Sequence, residues 1–294
     1  MKTNKLLLTA LAVLTPLSLA SCGGDQNRLK IVHFDQAILG EASKDLGVSI
    51  GLRKNSDSLR NSLNEALRGI NQDKRNEWMT ESVERANLEN VTSGNGLSVT
   101  TSTNILYVGL ECDYAPFNWT ETSQTDYTYP IEGLNGQYAA GYDVLVAHEL
   151  ASSLGYELRI VKMGWDALIP WVEAGAANNE NRLIIAGMTD TEERRLSIDF
   201  TEEYWRSELV LVVREDSKYA NATSLVDFAG ANIVSQVSTV TDDVITSWTS
   251  EYNVNHLNPL STFADCSIAV QNGAADAMTA ELPVATSIVN GANR

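Results

Sequence analysis

The sequence is poor in the residues on which several common functions depend. Of its 294 residues only 3 are cysteine and 3 are histidine, and 21 lysines and arginines face 38 acidic residues, for a formal net charge of -17. Nucleic acids and anionic lipids both bind proteins that carry an excess of positive charge. The excess of negative charge here argues against nucleic acid as a partner and against charge-driven adhesion to anionic lipid. With 44% hydrophobic residues, the chain is long enough to bury a core and form two modest domains.

The sequence also lacks the groupings of residues that catalysis uses. His33, His148 and His256 are dispersed, and none belongs to a Ser/His/Asp arrangement or to a metal-ligand spacing. No general acid or base stands within a pocket motif. These absences weigh against an enzyme, so we expect neither catalysis nor a cofactor.

The first 22 residues form a separate segment. Lys2 and Lys5 precede an apolar stretch, 6–19, that polar residues and a proline interrupt. This stretch is too short and too broken for a membrane span, so it is typical of an export signal. It ends in Leu-Ala-Ser followed by Cys22, which resembles the bacterial lipobox, in which the cysteine is acylated. We expect residues 1–22 to be a lipoprotein signal peptide and the protein to be lipid-anchored on the outer face of the cell membrane. The alternative is an ordinary signal peptide with a chance cysteine.

After this segment the pattern predicts an α/β protein. Residues 90–104 are mostly Ser, Thr, Asn and Gly with almost no charge, which is typical of a linker. From residue 105 strands and helices alternate, which predicts a mostly parallel sheet with helices on both faces. The predicted strands are 29–34, 46–54, 106–110, 157–163, 183–186, 209–213, 231–236 and 275–279, and the predicted helices are about 57–70, 72–86, 144–154, 165–174, 241–250, 263–272 and one from Pro283.

The stretch 186–200, AGMTDTEERRLSIDF, carries the clearest binding chemistry. The end of a buried strand opens into a glycine, a hydroxyl-bearing turn and a charged segment with Arg194 and Arg195. Free backbone N–H groups beside a guanidinium form a receptor for a carboxylate. The stretch therefore suggests a small anionic or zwitterionic ligand, although an ordinary polar turn of an α/β protein has the same pattern.

Several motifs in a fixed order resemble one known family. They are VGLECDYAPF at 108–117, GYDV at 141–144, WDALIP at 165–170, the stretch 186–200, and GAADA at 273–277. Together they closely resemble the amino-acid-binding proteins of bacterial ABC importers, solute-binding protein family 3. The resemblance implies a periplasmic-binding-protein type II fold, in which two α/β lobes joined by hinge strands close on a ligand. It also implies a monomer whose partners are a free amino acid and the permease of an ABC importer.

The order of the elements departs from this family. There, a strand, a crossing back to the first lobe and closing helices follow the second-lobe helix, whereas here similar segments precede the linker. We therefore predict a circular permutation in which the linker 90–104 joins the ancestral C-terminus to the ancestral N-terminus. Lobe 1 would span 48–211, and lobe 2 would combine 212–294 with 28–47. The alternative is that residues 28–90 remain from a preceding gene copy and that a second chain completes the fold.

The two cysteines beyond the signal segment are expected to stay free. An exported protein could pair Cys112 with Cys266. The predicted domains place them in different lobes, so we expect two free, partly buried thiols.

The resemblance further implies which residues bind the ligand's carboxylate. Arg194 is the bidentate partner, Thr189 and nearby N–H groups complete the site, and Arg195 points elsewhere. From lobe 2, Thr239 precedes a helix, so its hydroxyl and backbone N–H could meet the same carboxylate with help from the helix N-terminus. The family usually has glycine where Ser238 stands, and the alternative role of Thr239 is a plain helix cap.

Two acceptors are implied for the ligand's ammonium group. Glu281 stands where the family more often has aspartate, and its alternative role is that of a solvated acid. The carbonyl of Gly187 is the second candidate acceptor.

The ligand's side chain is implied to lie among aromatic residues. Trp165 matches the family's stacking aromatic, and Tyr114 and Phe117 would form the other walls, with core packing an equal alternative for Phe117. Glu111 could take the distal charge of arginine or lysine, with cation–π attraction from the rings. It could equally accept from a glutamine side chain or be a surface acid. We expect a polar or basic amino acid.

Other functions on the same fold remain alternatives. Some similar proteins are dehydratases of cyclic amino acids, and product formation would reveal such an activity. A sensory ligand-binding module and a permuted copy that binds nothing are the others, and a ligand screen would identify the last.

Overall fold

The computed structural model describes residues 28–39, 46–88, 90–178 and 180–294. The predicted signal peptide 1–22 and its Cys22 lie outside the described residues. The strands and helices are β1 Leu29–Val32, β2 Gly47–Arg53, α1 Asp57–Gly69, α2 Gln72–Arg85, β3 Ile105–Leu110, β4 Asp113–Tyr114, β5 Asn118–Glu121, β6 Tyr129–Pro130, β7 Tyr138–Ala140, α3 Tyr142–Leu154, β8 Glu157–Lys162, α4 Leu168–Ala174, β9 Asn181–Ile184, β10 Ile198–Arg206, β11 Leu209–Arg214, β12 Asn232–Val234, α5 Val240–Glu251, β13 Asn255–His256, α6 Phe263–Gln271, β14 Ala277–Glu281 and α7 Leu282–Ala292.

Two five-stranded sheets form the centres of two lobes. The sheet of lobe 1 has the order β10-β2-β9-β3-β8, and the sheet of lobe 2 has the order β1-β11-β14-β12-β13. In each sheet, taken in the order given, the first two pairings between neighbouring strands are antiparallel and the last two are parallel. The prediction of a mostly parallel sheet is therefore wrong for half of the strand pairings in each sheet. The strands next to the crossings between lobes are antiparallel to their neighbours.

Strand β11 shows how the hydrophobic sequence places the second sheet between two cores. Its apolar run is buried on both faces. Val210 and Val212 pack in the core that continues into lobe 1, whereas Leu209, Leu211 and Val213 pack in a separate core of lobe 2. Because side chains alternate across a strand, a continuous apolar run is what such a central strand requires.

A third, small sheet has the order β4-β5-β7-β6. The sequence patterns did not predict it, because its strands are only 2 to 4 residues long and too short for a readable alternation. It carries Tyr114 and Asn118, which matter below.

Two crossings connect the lobes. One lies between the end of β10 at Arg206 and the start of β11, and the other lies between β1 and β2. The crossings are bonded to each other, since the side chain of Gln36 donates to the carbonyl of Leu209 at 2.9 Å and accepts from its N–H at 3.0 Å. His33 Nδ1 also lies 3.1 Å from Glu208 Oε1. This pair of bonded segments forms the hinge of the molecule.

The strand pairing moves the predicted boundary between lobes. All of strand β11 lies in the sheet of lobe 2, so the crossing falls at 207–208. The predicted boundary at 211 would divide this strand between the lobes. An apolar run alone does not show which sheet it joins. The assignment of 48–211 to lobe 1, and of 212–294 with 28–47 to lobe 2, otherwise stays a prediction.

The front of the described chain packs against its end. The N–H of Leu29 donates to Asn293 Oδ1 and Asn293 Nδ2 donates to the carbonyl of Leu29, both at 2.8 Å. Helix α2 packs on α7. The segment 90–104 runs along lobe 1, where the N–H of Leu97 donates to the carbonyl of Thr128 at 2.9 Å.

Both cysteines of the described chain are free thiols, as predicted. Cys112 and Cys266 are wholly buried rather than partly buried. Burial raises the pKa of each thiol to about 12. In the part of the chain that the structure describes, no helix has both the length and the apolar character needed to cross a bilayer.

Candidate functional site

The residues predicted to bind the ligand meet in one cavity between the lobes. Lobe 1 contributes the segments after β3, β8 and β9, and lobe 2 contributes the loop before α5, the start of α6 and the end of β14. The lining residues are Glu111, Tyr114, Trp165, Gly187, Thr189, Arg194, Gln236, Thr239, Val240, Phe263 and Glu281. Every predicted ligand-binding residue except Phe117 is among them. Their roles toward a ligand stay a prediction.

Arg194 provides the positive charge of this cavity. Its Nη1 donates to the carbonyl of Thr189 at 2.7 Å, and its Nη2 donates to the carbonyl of Ser238 in lobe 2 at 3.0 Å. The guanidinium lies over the ring of Trp165, 5.3 Å from the ring centroid. Burial lowers the pKa of Arg194. A carboxylate would satisfy this planar group better than neutral carbonyls do, because its oxygens match the guanidinium geometry and carry charge.

Arg195 points away from the cavity. Its Nε and Nη2 both donate to the carboxylate of Asp190 at 2.6 Å. A bidentate ion pair of this kind occupies the guanidinium. Of the two neighbouring arginines, only Arg194 lines the cavity.

Gly187 allows the loop after β9 to turn beside the aromatic wall. Its φ is 59°, a left-handed conformation that glycine adopts without steric cost. A Cβ at this position would lie 2.7 Å from Cε1 of Tyr114, so no larger residue fits. Its N–H donates to the hydroxyl of Tyr204 at 2.9 Å.

Tyr114 connects the two lobes at the floor of the cavity. Its hydroxyl donates to Glu281 Oε2 at 2.7 Å. Its ring stacks between Phe117 of lobe 1, with centroids 5.2 Å apart, and Phe263 of lobe 2, with centroids 5.0 Å apart. Glu281 is 7% exposed, and burial raises the pKa of its carboxyl.

The position of Phe117 favours core packing over a ligand contact, the two alternatives that the sequence left open. The ring is wholly buried and lies behind Tyr114, outside the lining of the cavity. Its other ring neighbour is Tyr142 of the lobe 1 core. Phe117 therefore supports the aromatic wall from behind and does not form it.

Glu111 is a buried acid at the far side of the cavity. It follows β3 and is 8% exposed. Gln236 of lobe 2 donates from Nε2 to Glu111 Oε1 at 2.9 Å. Burial raises the pKa of Glu111 to about 7, and the hydrogen bond from Gln236 opposes this rise. Of the alternatives that the sequence left open, a surface acid is excluded.

Ser238 closes the cavity with its backbone. Its φ is 60°, and its carbonyl accepts from Trp165 Nε1 at 3.1 Å as well as from Arg194. Both donors belong to lobe 1. The cleft is closed, and this main-chain oxygen of lobe 2 accepts hydrogen bonds from both lobe 1 side chains that face the position predicted for the ligand's carboxylate.

Thr239 caps the helix that follows. Its hydroxyl accepts from the N–H of Asp242 at 3.2 Å and donates to the carbonyl of Gln236 at 2.7 Å. The residue also lines the cavity. The capping role is thus present, and a ligand contact of Thr239 stays a prediction.

The comparison with protein families identifies the fold and its family. A model of the bacterial extracellular solute-binding proteins, family 3, matches residues 106–280. The chain belongs to this family. The two-lobed type II fold predicted from the resemblance is confirmed, whereas the family match does not test the circular permutation.

Individual members of family 3 resemble the chain over shorter stretches. The arginine-binding extracellular protein ArtP of Bacillus subtilis (strain 168) is 27% identical over 147 residues, which cover 50% of this chain and 49% of that protein. A probable histidine-binding protein of Campylobacter jejuni is 30% identical over 116 residues, 40% of this chain and 38% of that protein. The chain thus spans less than two thirds of the length of these curated relatives.

A solved structure shows the same similarity. The Gly52Ala mutant of arginine-bound ArgBP from T. maritima is 31% identical, with a TM-score of 0.50 over 63% of this chain and 77% of that chain. These three proteins are named for binding rather than for catalysis. Within the described residues there is no group of three or more His, Cys, Asp or Glu side chains that could hold a metal ion.

Sequence reasoning missed four groups of this site, all from lobe 2. They are the side chains of Gln236, Val240 and Phe263 and the carbonyl of Ser238. Gln236 ends a predicted strand, and ligand groups of α/β proteins collect at the carboxyl ends of strands, so its position was a usable signal. Phe263 starts a predicted helix and carried no comparable signal.

Proposed function

We propose that the protein is an extracytoplasmic substrate-binding protein that captures a free amino acid between its lobes and delivers it to the permease of an ABC importer. The preferred ligand is basic or polar, with L-arginine the first candidate. The protein works as a monomer, without a cofactor and without catalysis. Membership of family 3 supports the class of function.

The observation that carries this proposal is the pairing of opposite charges across one cavity. Arg194 and Thr189 come from lobe 1, and the buried acid Glu281 comes from lobe 2. A zwitterion needs one partner for its carboxylate and another for its ammonium group, since an unpaired buried charge is costly. Because the two partners lie on opposite lobes, a bound amino acid would stabilise closure.

The side-chain end of the cavity supports a basic ligand. Glu111 and Glu281 supply two buried acids, whereas Arg194 supplies one partly buried base. A ligand with a cationic side chain brings the charge that balances the second acid. Relatives named for arginine and histidine binding agree with this choice.

The order of the elements supports the proposed circular permutation. The family match begins at Leu106, yet β1 and β2 precede that residue and are integral to the sheets. Strand β2 lies between β10 and β9 in lobe 1, and β1 pairs with β11 in lobe 2. The segment 28–88 thus fills the places that the resemblance assigns to the end of an unpermuted chain, and 90–104 is the joining linker.

We further propose export and a lipid anchor at Cys22. The basic start, the apolar stretch and the lipobox-like end of residues 1–22 support this. The anchor would precede lobe 2, because β1 is the first strand after it. Mass spectrometry of the protein from a bacterial membrane fraction, with Cys22→Ala as the control, tests the acylation.

The function is tested by a thermal-shift screen of the twenty amino acids, followed by calorimetry. A ligand at about 100 times its dissociation constant raises the stability of the folded state by roughly 2.7 kcal/mol. We expect L-arginine to raise the melting temperature and to be recovered unchanged by chromatography. Absence of a shift with every amino acid would refute the proposal, and conversion of a bound amino acid into a product would assign the dehydratase alternative instead.

A further inference from the structure

Asp143 is a buried carboxylate that lies outside the cavity. It is the second residue of α3 and is wholly buried. The helix starts directly beneath the β4–β5 turn, where the N–H groups of Tyr142 and Asp143 donate to the carbonyls of Pro116 and Phe117 at 3.1 and 2.8 Å. This close approach requires Gly141, because a Cβ there would lie 2.3 Å from the carbonyl oxygen of Phe117.

One oxygen of Asp143 is connected to the loop that carries Glu111. Asn118 Nδ2 donates to Asp143 Oδ2 at 2.8 Å. The Oδ1 of the same Asn118 accepts from the N–H of Cys112 at 2.6 Å. Cys112 directly follows Glu111 and precedes Tyr114 by two positions.

The other oxygen is connected to the loop after β9. The hydroxyl of Tyr204 donates to Asp143 Oδ1 at 2.7 Å and accepts from the N–H of Gly187 at 2.9 Å. Tyr204 is itself held in place, since the hydroxyl of Tyr142 donates to its carbonyl at 2.9 Å. Gly187 precedes Thr189 by two positions and lines the cavity.

The two residues at the ends of these connections share an unusual backbone. Cys112 has a φ of 56° and Gly187 has a φ of 59°. For a residue other than glycine this conformation costs about 1 to 2 kcal/mol and persists only where neighbouring groups enforce it. The hydrogen bonds through Asn118 and Tyr204 act on the N–H groups of these two residues.

We propose that Asp143 is the positioning residue of the ligand site, holding the Glu111–Tyr114 loop and the Gly187–Thr189 loop in fixed relation through Asn118 and Tyr204. The ligand part of this proposal rests on the proposed function. Asp143 itself contacts no ligand. Its role is to preorganise the lobe 1 half of the receptor before lobe 2 closes on it.

The network uses both oxygens of Asp143 as acceptors. Asn118 presents an NH₂ group and Tyr204 an O–H, so Asp143 must accept twice. Only the ionised form is purely an acceptor. Burial raises the pKa of Asp143 to about 7, and the bonds from Tyr204 and Asn118 oppose this rise. The substitution D143N would direct an NH₂ group at one of the donors, which would break one of the two connections.

Exchanging the side chains at positions 118 and 143 distinguishes a positioning role of Asp143 from a role in packing alone. In D143N, the new amide oxygen can still accept from Tyr204, but the new NH₂ group opposes that of Asn118. In the double variant N118D/D143N, the same NH₂ group meets an acceptor at position 118, whose other oxygen still accepts from Cys112. We expect D143N to bind L-arginine about tenfold to a hundredfold more weakly, and the double variant to return to within about threefold of the wild type.

Calorimetry is done well below the melting temperatures of all variants, so that only folded protein is measured. Phe228→Leu, in the separate core of lobe 2, is the control for lost stability and should leave the affinity unchanged. If D143N fails to fold, Tyr204→Phe, which removes only the connection to Gly187, takes its place with the same expected direction. An affinity within threefold of the wild type for folded D143N, or no recovery in a folded double variant, would overturn the proposal.

Amide hydrogen exchange tests the positioning without a ligand. In D143N the N–H group of Cys112 should lose protection, because the connection through Asn118 is broken, whereas those of Gly187 and of Val108 in β3 should keep it. The double variant should restore the protection of Cys112. This test needs no ligand. If the wild type binds no amino acid, only the proposed function is refuted. If protection is unchanged in D143N, only the positioning role is refuted.

Discussion

Tyr114 donates its hydroxyl hydrogen bond to the carboxylate of Glu281 at 2.7 Å, across 167 residues of sequence. The bond joins an aromatic wall of lobe 1 to the acid of lobe 2 that is proposed to receive the ligand's ammonium group. Burial raises the pKa of Glu281, and a neighbouring ammonium would stabilise its ionised form. The same acid thus helps to hold the lobes together and would pair with the charge of a ligand.

Removing Arg194 should abolish most ligand binding. Arg194→Ala leaves the ligand's carboxylate unpaired in a buried site, which we expect to cost about 2 to 5 kcal/mol of binding free energy, or roughly thirtyfold or more in affinity. Arg194→Lys keeps the charge but loses the planar fork, so its loss should be intermediate. Calorimetry with L-arginine measures both.

The matched control for this prediction is Arg195→Ala. Its guanidinium pairs with Asp190 outside the cavity, so the affinity should stay within about twofold of the wild type. Equal losses in the two variants, or retained binding in Arg194→Ala, would remove Arg194 from the site.

Glu111 should select for a cationic side chain. L-citrulline has nearly the shape of L-arginine but no charge, so the wild type should prefer L-arginine by about tenfold or more. In Glu111→Gln this preference should shrink, because the carboxylate that pairs with the guanidinium is gone. The surface variant Glu149→Gln is the control and should preserve the preference. If Glu111→Gln weakens both ligands equally, Glu111 shapes the cavity without selecting charge.

The stability of the ligand-free protein should fall as pH rises from about 5 to 8. The pKa of Glu111 lies near 7 in the folded protein against an ordinary 4.5, so between these values the folded state binds more protons than the unfolded state. Its stabilising contribution is complete below about pH 4.5 and is lost as pH rises through 7, up to about 3 kcal/mol. Asp143 acts in the same direction. Thermal unfolding should therefore show a flatter pH profile for Glu111→Gln than for the wild type, and equal slopes would exclude Glu111 as a source of the dependence.

Much of lobe 1's half of the site could be predicted, because its residues follow strands within one continuous segment. Arg194 and Thr189 lie in a single stretch whose spacing carries the chemistry. The role of Phe117 stayed open between ligand contact and core packing, since two rings separated by three positions in a loop do not reveal which one faces a cavity. Gln236 was missed because it meets Glu111 only when the lobes close, 125 residues away in sequence. Sequence patterns describe each lobe, but they do not describe contacts that depend on closure.

Replacing Ser238 by glycine should stabilise the closed cleft. Ser238 has a φ of 60°, and this conformation costs more free energy for a residue with a side chain than for glycine. Glycine offsets part of the difference, because it loses more conformational entropy on folding. We expect a net gain of about 0.5 to 1 kcal/mol in thermal or denaturant unfolding. Ser247→Gly, inside helix α5, is the control and should lose about that much. Lower stability in Ser238→Gly would show that the serine side chain itself supports the closed form.

Rearranging the elements into the order of the proposed unpermuted chain should leave the protein intact. The variant starts at residue 91, runs to Arg294, and continues through a linker of about four residues into 28–88. The new join is short because Leu29 and Asn293 are hydrogen-bonded to each other. We expect the same circular dichroism, the same affinity for L-arginine and a monomeric mass by light scattering.

The control lacks residues 28–88 altogether. Strand β2 lies between β10 and β9 in the sheet of lobe 1, so its removal breaks that sheet and the shortened chain should not fold. If instead the shortened chain folds and binds L-arginine, the front segment is dispensable and is a remnant of a preceding copy. If the rearranged chain folds only as a dimer, the front segment pairs with another chain. A folded, binding monomer is expected only if the segment 28–88 completes both lobes of its own chain.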